Sequence, residues 1–155
     1  MKFSTVAAFA TTASAAAVGA RQQQAEYIIG FQAACVPHST FCNYKFGISS
    51  EPGVIDATEC SAHIQGPDYL PAIADQNDCV VGNVTNYAYH WAVEKTADGG
   101  LEFDVWYPLN SRSNLTFCRE IPASELVVDD NGAVQTQRYT GPDYFKMDIC
   151  PEQNH

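Results

Sequence analysis

The stretch YAYHWAVEKTADGGLEFDVWYP (Tyr87–Pro108) decides the fold. Two runs rich in aromatic and β-branched residues flank Ala97-Asp98-Gly99, a pattern that predicts a β-hairpin. Both arms alternate: Tyr87, Tyr89, Trp91 and Val93 share one face, and so do Leu101, Phe103, Val105 and Tyr107. A three-residue loop with Gly99 in the left-handed region pairs Val93 with Phe103, Trp91 with Val105 and Tyr89 with Tyr107. A slip of one residue would set Glu94 against Phe103 and Val93 against Asp104, exposing half of the apolar face. The first register is therefore expected. It sets His90 opposite Trp106, Ala92 opposite Asp104 and Glu94 opposite Glu102 on the other face, so a tryptophan and a histidine stand beside three carboxylates.

Outward from this hairpin the chain reads as further short strands. Tyr27 to Ala34 predicts a first strand, followed by a loop from Val36 to Thr40 in which Pro37 cannot donate to a ladder. Cys42 to Ile48 alternates again, with Cys42, Tyr44, Phe46 and Ile48 inward. Thr58 to Gln65 and Val80 to Val84 are expected strands. Between them Gly66 to Asp78 has the prolines and carboxylates of a long surface loop. Downstream, Leu115 to Ile121 is a strand, Glu125–Val128 and Ala133–Tyr139 form a second hairpin across Asp130-Asn131-Gly132, and Tyr144–Cys150 closes the chain. About nine short strands, frequent turns and no helical period predict an all-β antiparallel sandwich or barrel.

The first twenty residues, MKFSTVAAFATTASAAAVGA, carry one lysine, a short alanine-rich apolar run and a small-residue cleavage site, the pattern of a secretory signal peptide. Cleavage after Ala20 would leave one secreted β domain over 21–155. That mature chain has seven basic against eighteen acidic side chains, a net charge of −11. Such a charge disfavours nucleic acid and anionic membranes as partners and favours basic ones. The six cysteines (Cys35, Cys42, Cys60, Cys79, Cys118, Cys150) form an even set behind the leader and predict three disulfides in an oxidising compartment. Spacing does not select among the pairings. Cys35 and Cys42 sit at the ends of one tight connection, and Cys60 and Cys79 bracket the long loop. Two sequons, at Asn83 and Asn114, fit a secreted glycoprotein.

Three stretches carry a family likeness: AACVPHSTFCNYKFGI (Ala33–Ile48), NSRSNLTFCREI (Asn110–Ile121) and NGAVQTQRYTGPDYFKM (Asn131–Met147). Together they resemble fungal secreted hypersensitive-response-inducing elicitors, within the family of the Alternaria major allergen (the AA1-like domain). The resemblance implies a disulfide-held β-barrel or sandwich secreted into the plant apoplast, which plants detect by localised cell death and defence. It also implies a host apoplastic protein or receptor as partner, a thaumatin-like defence protein among the classes, with no cofactor and no catalytic residues to carry over. The family's preference for local links implies Cys35–Cys42, Cys60–Cys79 and Cys118–Cys150, with the last two open to exchange. The allergen branch uses an extra cysteine for a covalent dimer, so a monomer or non-covalent dimer is expected here. Glu51 to Val80 departs from the family pattern.

Candidate site residues follow from the hairpin's outer face. His90, Trp106, Glu94, Glu102 and Asp104 are the expected partner surface, since tryptophan is enriched at binding hot spots. Two readings compete: coverage of Trp106 by the Gly66–Asp78 loop, and an ordinary solvated acidic face that Lys95 partly neutralises. No metal site is expected, because His38 and His63 lack ligand spacing and the cysteines lack C-x-x-C. No G-x-S-x-G motif or other nucleophile constellation is present, so an enzyme is not expected. A cell-wall-directed hydrolase or lectin, and an allergen-like barrel binding a small apolar ligand, are the alternatives.

Overall fold

The computed structural model describes residues 24–66, 68–82, 84–85, 88–130 and 132–151. The signal peptide expected over 1–20, and Asn83, Tyr87 and Asn131, lie outside them. Twelve antiparallel strands form one sheet that curls into a half-barrel. They are β1 (Ala25–Cys35), β2 (Phe41–Ser49), β3 (Thr58–Gln65), β4 (Ile73–Gln76), β5 (Val80–Val81), β6 (Val84–Thr85), β7 (His90–Lys95), β8 (Leu101–Asn110), β9 (Ser113–Ile121), β10 (Leu126–Asp130), β11 (Gln135–Tyr139) and β12 (Tyr144–Ile149). The strand order is β4-β7-β8-β9-β12-β1-β2-β3-β5-β6, and the β10–β11 hairpin branches from β1. A single 3₁₀ turn, Ala123–Glu125, is the one helical element among the described residues. None of their helices is long and apolar enough to cross a membrane.

The hairpin has the expected register: Val93 faces Phe103, Trp91 faces Val105, and His90 faces Trp106. Thr96 N–H donates to Gly100 O and Gly99 N–H to Thr96 O, both at 3.1 Å, and Gly99 holds φ 88°. Period-two alternation then sends Trp91, Val93, Leu101, Phe103 and Val105 to the concave side, where all are buried. Gly100 is needed for a different reason. A Cβ there would stand 2.5 Å from Ile121 O, so only glycine lets β8 pass the end of β9.

β1 departs from a uniform strand. Its pairing with β2 shifts between Ile29 and Gln32, at Gly30 with φ 64°. This is a β-bulge: one extra residue reverses the alternation, so Glu26 and Ile28 point inward before it and Phe31, Ala33 and Cys35 after it. The reversal delivers Phe31 to the centre of the core. Its ring lies 4.9 Å from Tyr139, 5.1 Å from Phe103, 5.5 Å from Phe145 and 6.0 Å from Phe46.

The segment Gly66–Asp78 is not the surface loop its composition suggests. Leu70 and Ile73 are buried, and β4 adds to the outer edge of β7. Tyr44 Oη donates to Pro71 O at 2.9 Å. Gln137 holds the segment twice, its N–H donating to Asp68 O at 2.7 Å and its Oε1 accepting from Leu70 N–H at 3.1 Å. Two apolar residues among many polar ones are enough to seat the chain, provided its buried backbone groups find partners. The single strand expected over Val80–Val84 is likewise two, β5 and β6, folded at Gly82 with φ 58°.

The disulfides join Cys35 to Cys42, Cys60 to Cys79 and Cys118 to Cys150, the local set that the resemblance implies. Cys35 and Cys42 are directly opposite on β1 and β2. Cys60–Cys79 ties the entry of β5 to β3, and Cys118–Cys150 ties the end of β12 to β9.

The bulge and the close approach make separable predictions. Gly30→Ala forces a Cβ into the left-handed region and lowers stability by about 1 kcal/mol, about 4 °C in Tm. Gly100→Ala costs more, because backbone rather than open space meets its Cβ. Thermal unfolding of both variants checks this; an unchanged Tm for Gly30→Ala would mean that β1 carries no left-handed residue there.

Candidate functional site

Register extends the outer face across three strands. Pairing of β8 with β9 sets Glu102 against Glu120, Asp104 against Cys118, Trp106 against Thr116 and Pro108 against Asn114. The convex surface therefore carries cross-strand rows: Glu94–Glu102–Glu120, then Ala92–Asp104–Cys118, then His90–Trp106–Thr116. Like charges directly opposite one another on a sheet repel. Lys95 does not relieve the glutamate row, since it pairs with Leu101 on the other parity. Glu120, a member that the hairpin alone could not supply, is found only once β9 is in register.

His90 and Trp106 stack, with ring centroids 5.6 Å apart and planes 20° apart. His90 Nδ1–H donates to Asp75 Oδ1 at 2.7 Å, which fixes the ring's orientation. Asp75 comes from β4, so the Gly66–Asp78 segment braces His90 from the side. Trp106 stays half-buried on the outer surface, while the tryptophan inside the barrel is Trp91.

Below this pair lies an open groove of about 440 Å³ lined by Glu102, Asp104, Asn114, Thr116, Ile149 and Cys150, among others. Burial, with Glu102 and then Glu94 alongside, pushes the Asp104 carboxyl up to about 6. Its Oδ1 is buried without a hydrogen-bond partner. The Asp104 carboxylate and the Cys118 and Cys150 sulfurs lie within 4.8 Å of one another. The two sulfurs are bonded to each other, so they offer no thiolate to a metal. Asn114 is exposed on this same face, with its sequon threonine, Thr116, directly opposite Trp106.

The remaining histidines stand elsewhere. His38 occupies the left-handed position, φ 60°, of the Cys35–Cys42 loop. His63 stacks on Phe41 at 4.5 Å and its Nδ1 lies 2.6 Å from Asn43 Oδ1, on the outer side of β2 and β3.

One ionisable group was invisible to sequence reasoning. Glu26 is only 1% exposed, one position before the Tyr27 start of the expected strand, and its Oε2 has no hydrogen-bond partner. Burial pushes its carboxyl up to about 7, against a smaller lowering by a hydrogen bond from Tyr89. Tyr89 and Tyr107 meet edge to face beside it, at 5.7 Å. The inward parity of Glu26 follows from Ile28, two residues on; it is a polar residue at a core position.

No protein-family model and no curated protein matches the chain.

Two predictions follow from this geometry. Trp91→Ala empties a fully buried site and costs about 3–5 kcal/mol, whereas Trp106→Ala costs about 1 kcal/mol or less. Denaturant titration separates them, and a sharp loss for Trp106→Ala would make it a core residue. The second concerns pH. Glu26 keeps its proton in the folded state over a range where the unfolded chain has lost it, so its contribution to stability declines from about pH 4 to about pH 7. Glu26→Gln removes that decline: the variant matches the parent near about pH 4 and exceeds it by about 2–3 kcal/mol at about pH 8. Parallel stability profiles would sink the assignment.

Proposed function

We propose that this protein is a secreted fungal elicitor that plants recognise through its convex sheet face, answering with defence or hypersensitive cell death. The observation that carries the reading is the Trp106–His90 stack set among carboxylates that face one another across strands. An aromatic anchor braced by Asp75 supplies rigid apolar contact at little entropic cost. The rows of Glu94, Glu102 and Glu120 make that face complementary to a basic surface and steer its approach. Three disulfides and a filled aromatic core hold the face in one shape, which suits an extracellular protein. The partner is a host apoplastic protein or receptor with a basic docking surface; the thaumatin-like defence proteins are the class that the family likeness suggests.

A wall-directed hydrolase is the second reading, favoured by Asp104 and Glu102 in one groove, one of them with a raised pKa. These two are neighbours on a single strand, not residues facing each other across a cleft, and this weighs against a two-carboxylate glycosidase. The small-ligand barrel draws less support, because Phe31, Phe46, Trp91, Phe103 and Phe145 fill the concave side.

Infiltration of purified mature protein into leaves tests the proposal, beside a reduced and alkylated control and Trp106→Ala. Cell death from the folded parent, none from the alkylated sample and a weaker response to Trp106→Ala are expected. Absence of any response to the folded parent would overturn the elicitor reading, and equal potency of Trp106→Ala would move recognition off this face.

A further inference from the structure

The three disulfides are not equivalent. Cys35, Cys42, Cys60 and Cys79 are buried, at 6%, 0%, 1% and 0% exposure. Cys118 and Cys150 are part-exposed, and Cys150 lines the 440 Å³ groove. Thiol–disulfide exchange needs direct approach of a thiolate to a sulfur, so access alone selects this bond. A second feature is chemical. The Asp104 carboxyl lies within 4.8 Å of both sulfurs, and its Oδ1 is buried with no hydrogen-bond partner of its own. A carboxyl beside a disulfide is poorly placed to bind an anion but well placed to give a proton to a sulfur that departs as thiolate.

We propose that Cys118–Cys150 is a thiol-exchange site, at which a small thiol enters the groove and attacks Cys150 Sγ while Asp104 protonates the departing Cys118 sulfur. The co-reactant is a low-molecular-weight thiol, ionised to its thiolate. Its sulfur forms a bond to Cys150 Sγ, the Cys150–Cys118 bond breaks, and the electron pair of that bond leaves on Cys118 Sγ. The proton passes from the Asp104 carboxyl to Cys118, leaving one mixed disulfide, one free thiol and one carboxylate. A second thiolate attacks the small molecule's sulfur in the mixed disulfide; the bond to Cys150 Sγ breaks and its electron pair leaves on Cys150 Sγ, which takes a proton from water. Release of the small molecule as its disulfide completes a two-electron reduction. Burial holds Asp104 protonated up to about 6, so the donor is present in mildly acid surroundings.

The site also has a charge preference. The other ionisable groups on this face are His90 on β7 with its partner Asp75 on β4, Glu94 on β7, Glu102 on β8, Glu120 on β9, and Asp148 with its ion-paired Lys146 on β12, so carboxylates outnumber cations. A thiol carrying a positive charge is drawn to them and an anionic one is repelled. Opening the bond need not unfold the chain. With the bond closed, Asp148 and Ile149 pair with Cys118 and Phe117 and Cys150 N–H donates to Thr116 O at 3.0 Å, backbone contacts that do not pass through the sulfurs. What is lost is the covalent tie across a seam of only two paired positions.

The test uses the intact secreted protein, with cysteamine and mercaptoethanesulfonate as probes. After acid quenching and alkylation, peptide masses identify which cysteines have reacted. The expected result is thiolation or labelling confined to Cys118 and Cys150 at probe concentrations that leave the other two bonds closed. At low ionic strength, cysteamine reacts roughly tenfold faster than mercaptoethanesulfonate per thiolate, and salt narrows the gap. Opening of Cys35–Cys42 or Cys60–Cys79 at equal or lower concentration overturns the proposal, as does equal reactivity of the two probes. For Asp104, the thiolate-corrected cysteamine rate falls severalfold as pH rises from about 5 to about 7.5, and this fall is absent in Asp104→Asn. An inflection retained in that variant would remove Asp104 as the proton donor. The probe comparison on the parent protein decides the site even if the variant does not fold.

Discussion

Contact between Phe31 and the rings around it joins parts of the sheet that are far apart in sequence. Phe31 belongs to β1, Phe46 to β2, Phe103 to β8, Tyr139 to β11 and Phe145 to β12, with centroid separations of 4.9 to 6.0 Å. Tilted and edge-to-face pairs of this kind contribute beyond simple burial of area. Each ring can reach the centre only if its strand is in the right parity, because a shift of one residue turns every side chain outward. Gly30 sets that parity for β1. Without its left-handed φ, the residues that satisfy the first half of the strand would drive Phe31 into solvent.

The same parity that fills the inside assembles the outside. Once Trp91, Val93, Phe103 and Val105 are committed to the core, their alternates have no choice but the convex face. There Glu94, Glu102 and Glu120 line up against their mutual repulsion, and Asp104 is partly buried among them. Sequences selected only for folding avoid such rows, and departures from local consistency concentrate at functional places. The repulsion is tolerable because three covalent links and the aromatic core hold the strands together. A partner bringing positive charge would relieve it, and this is what supports the proposal that the face docks a basic partner.

Glu26 is a second departure, on the concave side. A carboxyl deep in the barrel beside Tyr89 and Tyr107 works against stability wherever it must ionise. Its effect opposes the usual acid denaturation of proteins whose carboxylates are paired. The inner and outer departures act in the same direction with pH, since Asp104 and Glu26 both favour the protonated form.

Alternation of apolar and polar residues was enough to determine an all-β chain, the Tyr89–Tyr107 hairpin register and the outward company of His90, Trp106, Glu94, Glu102 and Asp104. Those features depend on neighbours across one short turn, and period-two patterning records such neighbours directly. The bulge at Gly30, the seating of Leu70 and Ile73, the buried Glu26 and the place of Glu120 in its row were settled only by tertiary structure. Each depends on strands separated by tens of residues. Composition made Gly66–Asp78 look like a loop, because one buried leucine and one isoleucine carry little weight among prolines and carboxylates. The proximity of Asp104 to the Cys118–Cys150 sulfurs belongs to the second group as well: it arises where β8, β9 and the end of β12 meet, and no local pattern encodes that meeting.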